Sequence, residues 1–224
     1  MGKCLFFSSK SYGYLTRVGA FDNKLAVYHY HNASDSLGGR QDSGRMIPRI
    51  TMNDMPPALA EMLRPKVERL GYLGEFFQCA ANQPDALMSF MKLTDELKEA
   101  LQDNMTEIVA LTVSSRMSNV YERRQHERLS LKFGFGEQWL RDVLSLGESS
   151  GSMKPEERLV QQLVLAVLKT NGHDAGGELD RVVEAIGAKQ AIAVLLLIGR
   201  YITHALLVNT LKLAPPVPSP LERL

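Results

Sequence analysis

Glu107-Ile-Val-Ala-Leu-Thr-Val-Ser-Ser-Arg-Met-Ser-Asn119-Val-Tyr121-Glu122-Arg-Arg-Gln-His126 places two acids and a histidine in an apolar helical pattern. Glu122 and His126 are four residues apart and share a helix face, while Glu107 belongs to the segment before them. Two helices can therefore direct these side chains at one pocket, where a carboxylate beside an imidazole holds a proton near neutral pH. The alternative is an exposed Glu/His pair on a surface helix, which contributes only a few tenths of a kcal/mol.

Helix capping offers a second explanation for several of these residues. Asn104 lies three residues before Glu107 and can form a capping box with it. Asn119 is a good N-cap for the next helix, which would leave Glu122 in the first turn, where a negative charge is favoured. His126 stands in the middle of that helix, so capping does not explain it.

The same residues resemble the carboxymuconolactone decarboxylase family, which includes the alkylhydroperoxidase D-like (AhpD-like) proteins. The peroxidase branch has an upstream Glu followed by Cys-x-x-Cys-x-x-x-His. Glu107 and His126 match that Glu and His, but Asn119 and Glu122 stand where the two cysteines would be. The decarboxylase-like branch reads Tyr-Glu-x-x-x-His, which Tyr121, Glu122 and His126 match.

The resemblance spans roughly residues 46 to 221 and implies an all-α, AhpD-like helical bundle. Within it, helical patterns form two units, residues 56 to 146 and residues 154 to 212. Residues 1 to 45 hold four of the seven tyrosines with Gly and Ser throughout, and they show no helical period. We therefore predict an irregular or disordered extension before a single helical domain.

Two helices have features that predict more than their existence. Pro56-Pro57 suits a first helical turn, but Pro65 falls inside the following apolar period and predicts a kink or break there. Residues 191 to 198 are apolar nearly all round, so the last long helix is expected at the centre of the fold or at a subunit interface. The family resemblance likewise implies a homo-oligomer, a dimer, trimer or hexamer.

Composition excludes several other classes of protein. A net charge of +1 and a pI near 7.8 give no basic field for nucleic acid. The longest apolar run, residues 191 to 198, is shorter than the ~20 residues of a membrane span, so the chain is expected to be soluble. Its two cysteines, Cys4 and Cys79, form no C-x-x-C and no zinc spacing, and Cys79 lies in an apolar run typical of a buried position. These features favour a cytoplasmic protein without metal or cofactor, since no phosphate-binding Gly-rich loop is present either.

The resemblance implies a lyase-type enzyme that moves a proton on a small carboxylated or lactone-type molecule. In this interpretation His126 transfers the proton, Glu122 tunes or shares it, and Glu107 and Tyr121 orient base and substrate. The candidate substrate-binding residues are Tyr121, Asn119, Ser115 and Tyr201; Tyr201 and His204 also fit an ordinary buried pair. A non-catalytic helical oligomer that binds a small molecule is the alternative. A hydroperoxide-reducing protein is less expected, because thiol peroxidases of this kind need the absent cysteine pair.

Overall fold

The computed structural model describes residues 46 to 222 and, upstream, the backbone of residues 16 to 21 and 24 to 29. The chain divides into two compact units, Met1–Arg45 and Met46–Leu224. In the first unit, β1 (Thr16–Phe21) and β2 (Lys24–His29) pair antiparallel. These strands differ from the irregular chain expected there. Thr, Val, Tyr and Phe favour strands, and the Asp-Asn pair between the strands favours a turn, so a local hairpin signal was present in the sequence. The other residues of 1 to 45 lie outside the described part.

The second unit is all-helical over residues 46 to 222, as the sequence predicts. Its nine helices are α1 (Pro57–Leu70), α2 (Glu75–Ala80), α3 (Pro84–Glu99), α4 (Asp103–Arg116), α5 (Val120–Lys132), α6 (Glu137–Leu144), α7 (Pro155–Thr170), α8 (Gly176–Ile186) and α9 (Ala188–Thr210).

The helix boundaries follow ordinary start and stop chemistry. Proline opens α1, α3 and α7, where its missing N–H is not needed. Gly71 ends α1 with a left-handed φ of 79°. Pro65 does not end α1, which continues through it to Leu70. The predicted break at Pro65 is therefore wrong.

Helix α4 is the central element of the fold. Every residue from Asn104 to Ser114 is buried, because α4 packs against α5, α7 and α9. Helix α9 has a buried side toward α3, α4 and α8, but Ile192, Leu196 and Leu206 are more than half exposed on its other side. Of the two positions that the apolar pattern of α9 predicts, the centre of the fold is occupied by α4, and a subunit interface stays a prediction.

Two hydrophobic clusters stabilise the helical unit. The larger one contains residues of α4, α6, α7, α8 and α9, and the smaller one contains residues of α1, α2 and α3. Helix α9 contributes to both, since Tyr201 belongs to the larger cluster and Val208 to the smaller. The polar residues of α9 between these two positions therefore lie where the clusters meet.

Helix α9 is also long and apolar enough to cross a membrane by length and composition, and it is the one such helix among the described residues. Its apolar character extends beyond the uninterrupted apolar run of residues 191 to 198. Half of its most apolar stretch is buried inside the helical unit. Arg200, Tyr201 and His204 are polar residues of the same helix. The core helix of a soluble protein meets the same criteria.

Candidate active site

Three helices bring the polar cluster together around His126. Glu107 comes from the buried centre of α4, His126 and Glu122 come from α5, and Tyr201 and His204 come from α9. Each of these side chains is buried. Because α4 packs against both α5 and α9, residues distant in sequence meet at one point.

The Nδ1 atom of His126 is paired with Glu107. The distance from Nδ1 to Glu107 Oε2 is 2.8 Å, and the Ser130 hydroxyl donates to the same oxygen at 3.2 Å. Glu107 is only 1% exposed and His126 6%, so water does not screen the pair. A carboxylate at Nδ1 holds a proton on that nitrogen and fixes the orientation of the ring. The Nε2 atom is thereby left as the reactive nitrogen.

The Nε2 atom of His126 faces two groups that can exchange protons with it. The Tyr201 hydroxyl lies 3.3 Å away, and Glu122 Oε1 lies 3.5 Å away. Burial lowers the pKa of His126, but the two carboxylates raise it by more, and the net shift is upward. Burial raises the pKa of Tyr201 well above its usual value, so its hydroxyl stays protonated. His126 can therefore hold a proton at neutral pH.

Glu122 is the acceptor at the centre of the cluster. Arg200 Nη1 donates to its Oε1 at 3.0 Å, and His204 Nε2 lies 3.1 Å from its Oε2. Burial raises the pKa of Glu122, but its basic neighbours lower it well below the usual value. Glu122 is therefore an ionised carboxylate inside the protein.

The tautomer of His204 follows from its two partners. Asn119 Nδ2 can only donate, and it lies 3.1 Å from His204 Nδ1. The Nδ1 atom therefore accepts, and Nε2 carries the hydrogen that points at Glu122. Burial lowers the pKa of His204 to about 4, which keeps the ring neutral. Its ring stacks on Phe76, with centroids 4.1 Å apart.

A cavity of about 150 Å³ lies against one side of the cluster. His126, Glu122 and His204 form part of its wall, whereas Glu107 and Tyr201 are not among the lining residues. The charged lining residues are one acid, Glu122, and four bases. These bases are Lys66, Arg69, Lys98 and Arg200. The cavity therefore offers a small ligand an imidazole in a wall whose charged side chains are mainly cationic.

The predicted catalytic residues Glu107, Glu122 and His126 all meet in this cluster. The capping alternative for Glu107 does not hold, because α4 begins at Asp103 and the Asn104 amide instead donates to Glu157 at 2.6 Å. Glu107 therefore contacts His126 across the interface of α4 and α5 and does not cap its own helix.

The predicted substrate-binding residues separate into different positions. Tyr121 does line the cavity; its hydroxyl accepts from the Phe76 N–H at 3.4 Å and leaves no room for a Cβ at Gly74. Asn119 and Tyr201 contact the cluster from behind the wall. Ser115 is not brought to the site, and its buried hydroxyl has no hydrogen-bond partner among the described residues.

Two basic residues of the cavity, Arg200 and Lys98, were not predicted from the sequence. Arg200 also donates to Thr94 at 3.1 Å and lies over the Tyr201 ring. A lone arginine in the apolar α9 pattern was a usable signal, because a charge in a buried helix needs a partner. Lys98, at the end of α3, resembles any charged residue of an amphipathic helix, so its sequence carried no such signal.

A metal site and a cysteine at the cavity are the other chemistries to consider in this part of the chain. Among residues 46 to 222, no group of three or more His, Cys, Asp or Glu side chains could hold a metal ion. Cys79 is buried in the smaller hydrophobic cluster and is not a lining residue of the cavity. The positions that carry cysteines in the peroxidase branch are Asn119 and Glu122, which serve the cluster in other ways.

Several solved structures resemble this fold despite low sequence identity. An uncharacterized peroxidase-related protein with an AhpD core, from Ralstonia eutropha JMP134, is 15% identical, with a TM-score of 0.66 over 75% of this chain and 92% of its own. The debrominase Bmp8, solved with 2,3,4-tribromopyrrole, is 14% identical, with a TM-score of 0.66 over 77% of this chain and 92% of its own. An uncharacterized peroxidase-related protein from Silicibacter sp. TM1040 is 12% identical, with a TM-score of 0.63 over 79% and 96%.

Two comparisons of the sequence give no match. No protein-family profile matches the chain, and no curated protein matches it with significance. At identities of 12% to 15% a structural likeness shows the fold and not the activity. The helical unit of this protein therefore has the AhpD-like fold.

Proposed function

We propose that the protein is an acid–base enzyme, similar to carboxymuconolactone decarboxylase, that transfers a proton on a small carboxylated or lactone-type molecule. The observation that carries the proposal is the setting of His126 in the cavity wall. Glu107 holds its Nδ1 at 2.8 Å, Tyr201 and Glu122 lie near its Nε2, and the residue lines the cavity. An imidazole oriented by a carboxylate at one nitrogen, with the other nitrogen left for proton exchange, is the arrangement that general acid–base catalysis uses.

The charge of the cavity supports a substrate with a carboxylate. Lys66 and Arg69 lie at the more exposed part of the lining, and Arg200 lies deeper, beside Glu122. Only one ionised acid opposes them, and it already binds Arg200. A planar guanidinium matches a carboxylate in a two-point hydrogen bond. We therefore expect the ligand to enter with its carboxylate toward these bases.

The proposed chemistry is delivery of the His126 proton to carbon. The upward-shifted pKa of His126 favours the protonated ring, which carries a hydrogen on Nε2. In a decarboxylation the bond to the carboxylate carbon breaks, carbon dioxide leaves, and the carbon that keeps the electron pair takes the proton. His126 becomes a neutral imidazole in this step and regains a proton from solvent, and Glu107 stabilises the imidazolium that re-forms. One such acid–base group contributes roughly 10²- to 10⁴-fold to a rate.

Proton exchange tests this proposal without knowledge of the natural substrate. A panel of small lactones and keto acids would be incubated in D₂O, and NMR would follow both deuterium incorporation at carbon and loss of carbon dioxide. Wild type should accelerate one of them, and His126→Asn should lose at least ~10²-fold of that acceleration. Asn can still donate to Glu107 from the Nδ1 position but has no group at Nε2.

The matched control is His173→Asn, because His173 is exposed in a turn away from the cavity. This variant should keep the wild-type rate. Equal rates for wild type and His126→Asn on a turned-over compound would contradict the assignment of His126.

A second candidate function is a non-catalytic small-molecule-binding or structural helical oligomer of the same fold. The observation that favours it is the satisfied network: the Glu107, Glu122 and His126 side chains all have partners, as a polar core would. A hydroperoxide-reducing function remains less favoured, because the only described cysteine is outside the cavity lining. The cytoplasmic location stays a prediction.

Thermal unfolding distinguishes a polar core from a catalytic site. Active-site groups are held at a cost in stability, whereas a buried hydrogen bond in a polar core stabilises by ~1–3 kcal/mol. On the catalytic proposal, Glu122→Gln or His126→Asn should leave the melting temperature unchanged or raise it. A fall of several degrees in both variants, but not in His173→Asn, would favour the polar core.

A further inference from the structure

Lys98 is a basic group in the cavity that the proposed proton transfer does not use. It stands in the last turn of α3 and lines the cavity together with Glu122, His126 and Arg200. The described residues place no hydrogen-bond or ion-pair partner on its ammonium. Lys66, on the same cavity, differs because it pairs with Asp95 at 3.2 Å.

The charges that face Lys98 come from four helices and do not neutralise it. Arg200 on α9 and Lys66 on α1 oppose its positive charge, while Glu107 on α4 and Glu122 on α5 favour it. Both acids are already engaged. Glu107 Oε2 receives His126 and Ser130, and the two oxygens of Glu122 receive Arg200 and His204.

The balance of these effects increases the share of neutral amine at Lys98. Burial lowers the pKa of Lys98, Arg200 lowers it further, and the two acids raise it by less, so the net shift is downward. An ordinary lysine has a pKa of about 10.4, and only about one in 10³ is a free amine near neutral pH. A buried lysine beside another cation is the setting in which amines become nucleophiles.

We propose that Lys98 is a nucleophile that forms an imine with the carbonyl group of a β-keto acid bound in this cavity. The inference rests on the proposed function for the carboxylated substrate and for the proton that His126 supplies. The neutral amine nitrogen attacks the carbonyl carbon, the oxygen takes one amine proton and one proton from solvent and leaves as water, and the remaining N–H stays on a protonated C=N bond. The geometric basis is that Lys98 and His126 line one cavity of about 150 Å³, a size that holds a small acid.

The imine would complete the chemistry of decarboxylation. When carbon dioxide leaves, the electron pair of the broken C–C bond needs an acceptor, and the protonated imine takes it to become an enamine. The His126 Nε2 then delivers a proton to the enamine carbon, and water hydrolyses the new imine to release ketone and free Lys98. No oxidant or reductant is required, because carbon dioxide and a C–H bond replace the carboxylate group.

Reductive trapping tests this inference on the intact wild-type chain. The protein would be incubated with acetoacetate near pH 7, reduced with sodium borohydride, digested and analysed by mass spectrometry. The internal reference is Lys92, an exposed lysine on the same helix. We expect Lys98 to carry at least ~10-fold more adduct than Lys92, with Lys98→Arg removing that adduct and Lys92→Arg leaving it. Equal or lower labelling of Lys98 in folded wild type would overturn the inference.

The trapping result separates this inference from the proposed function. Imine formation needs only the Lys98 amine, so His126→Asn should still be labelled at Lys98. Labelling of Lys98 without any catalysed proton exchange on the panel would count against the proposed function alone. Catalysed, His126-dependent exchange with no selective labelling of Lys98 would count against the imine alone.

Discussion

His126 and His204 are two buried imidazoles near one carboxylate, yet their pKa values move in opposite directions. His126 has Glu107 at one nitrogen and Glu122 near the other, and these acids outweigh burial. His204 has only Glu122, while Arg200 and His126 nearby add to the effect of burial. One ring can therefore carry a proton at neutral pH, and the other stays neutral and holds Glu122 in place.

The first prediction concerns the acid stability of the folded chain. The pKa of His204 falls from 6.5 to about 4 on folding. Between these values the unfolded ring binds a proton that the folded ring refuses, so stability falls as the pH drops from 6.5 toward 4. The loss amounts to roughly 3 kcal/mol at most. His204→Gln should flatten this part of the curve, because Gln can accept from Asn119 and donate to Glu122 without titrating.

Urea unfolding at several pH values between 4 and 7 measures this effect. Glu122 acts only at the acid end of this range, because folding lowers its pKa and its stabilising effect is lost as the pH falls below the usual value of 4.5. His126 acts on the other side, because a raised pKa makes its contribution disappear as the pH rises above 6.5. A variant His204→Gln with the full wild-type acid loss would show that His204 is protonated in the folded chain.

Among single residues, the sequence predicted the meeting of Glu107, Glu122 and His126 but not the basic residues around them. Glu122 and His126 could be predicted because four-residue spacing is a local signal, and Glu107 was implied by the family resemblance. Arg200 and Lys98 reach the same cavity from α9 and α3, so only tertiary packing brings them there. Spacing within one segment cannot predict such contacts.

Among helices, the N-terminus of α5 shows how capping and the site depend on one side chain. Asn119 Oδ1 accepts from the Glu122 N–H at 3.1 Å, as its sequence position predicts. Its Nδ2 donates to His204. The cap therefore fixes the start of α5, the backbone that carries Glu122, and the tautomer of His204 at once.

Two substitutions at this cap separate its roles. Asn119→Ala removes both hydrogen bonds, whereas Asn119→Ser retains an oxygen that can cap the helix and loses the donor to His204. We expect Ala to destabilise the folded chain by about 1 kcal/mol more than Ser, which is the usual value of an N-cap. Chemical unfolding followed by circular dichroism gives the comparison. Equal destabilisation by both variants would mean that the His204 contact, and not the cap, is what matters.

Helix periodicity predicted the existence of the helices better than their depth in the fold. The all-round apolar pattern of residues 191 to 198 suggested a helix at the centre of the fold or at a subunit interface. Helix α4 occupies the centre although it carries Glu107, Thr112 and Ser114. These polar side chains are tolerated because partners on other helices or the local backbone receive them. A hydropathy pattern cannot reveal partners that come from distant segments.

At the scale of the whole molecule, the family resemblance predicted the all-α fold of residues 46 to 222, and similar solved structures confirm it. The strands β1 and β2 differ from the irregular extension expected for residues 1 to 45, because a short hairpin has no helical period. The resemblance also implies a homo-oligomer, which stays a prediction. The part of the helical unit that bears on it is the exposed apolar side of α9.

The last prediction is that this side of α9 contacts a second copy of the chain. Ile192, Leu196 and Leu206 are 53%, 51% and 58% exposed and lie on one side of the helix. A monomer gains nothing from exposing such a stripe, while a partner that covers it gains about 25 cal/mol for each Å² of apolar surface removed from water. Light scattering after size exclusion should therefore give a mass above the 25.0 kDa of one chain.

Charge on that stripe should separate the copies without unfolding them. Leu196→Glu is expected to shift the mass toward one chain, because burying an unpaired carboxylate at an interface costs several kcal/mol. Met62→Glu is the matched control, since Met62 is an exposed apolar residue on α1, and it should leave the mass unchanged. If wild type already elutes as one chain, or if Leu196→Glu keeps the full oligomer mass, then α9 is not the interface, and its apolar surface faces water in the working protein.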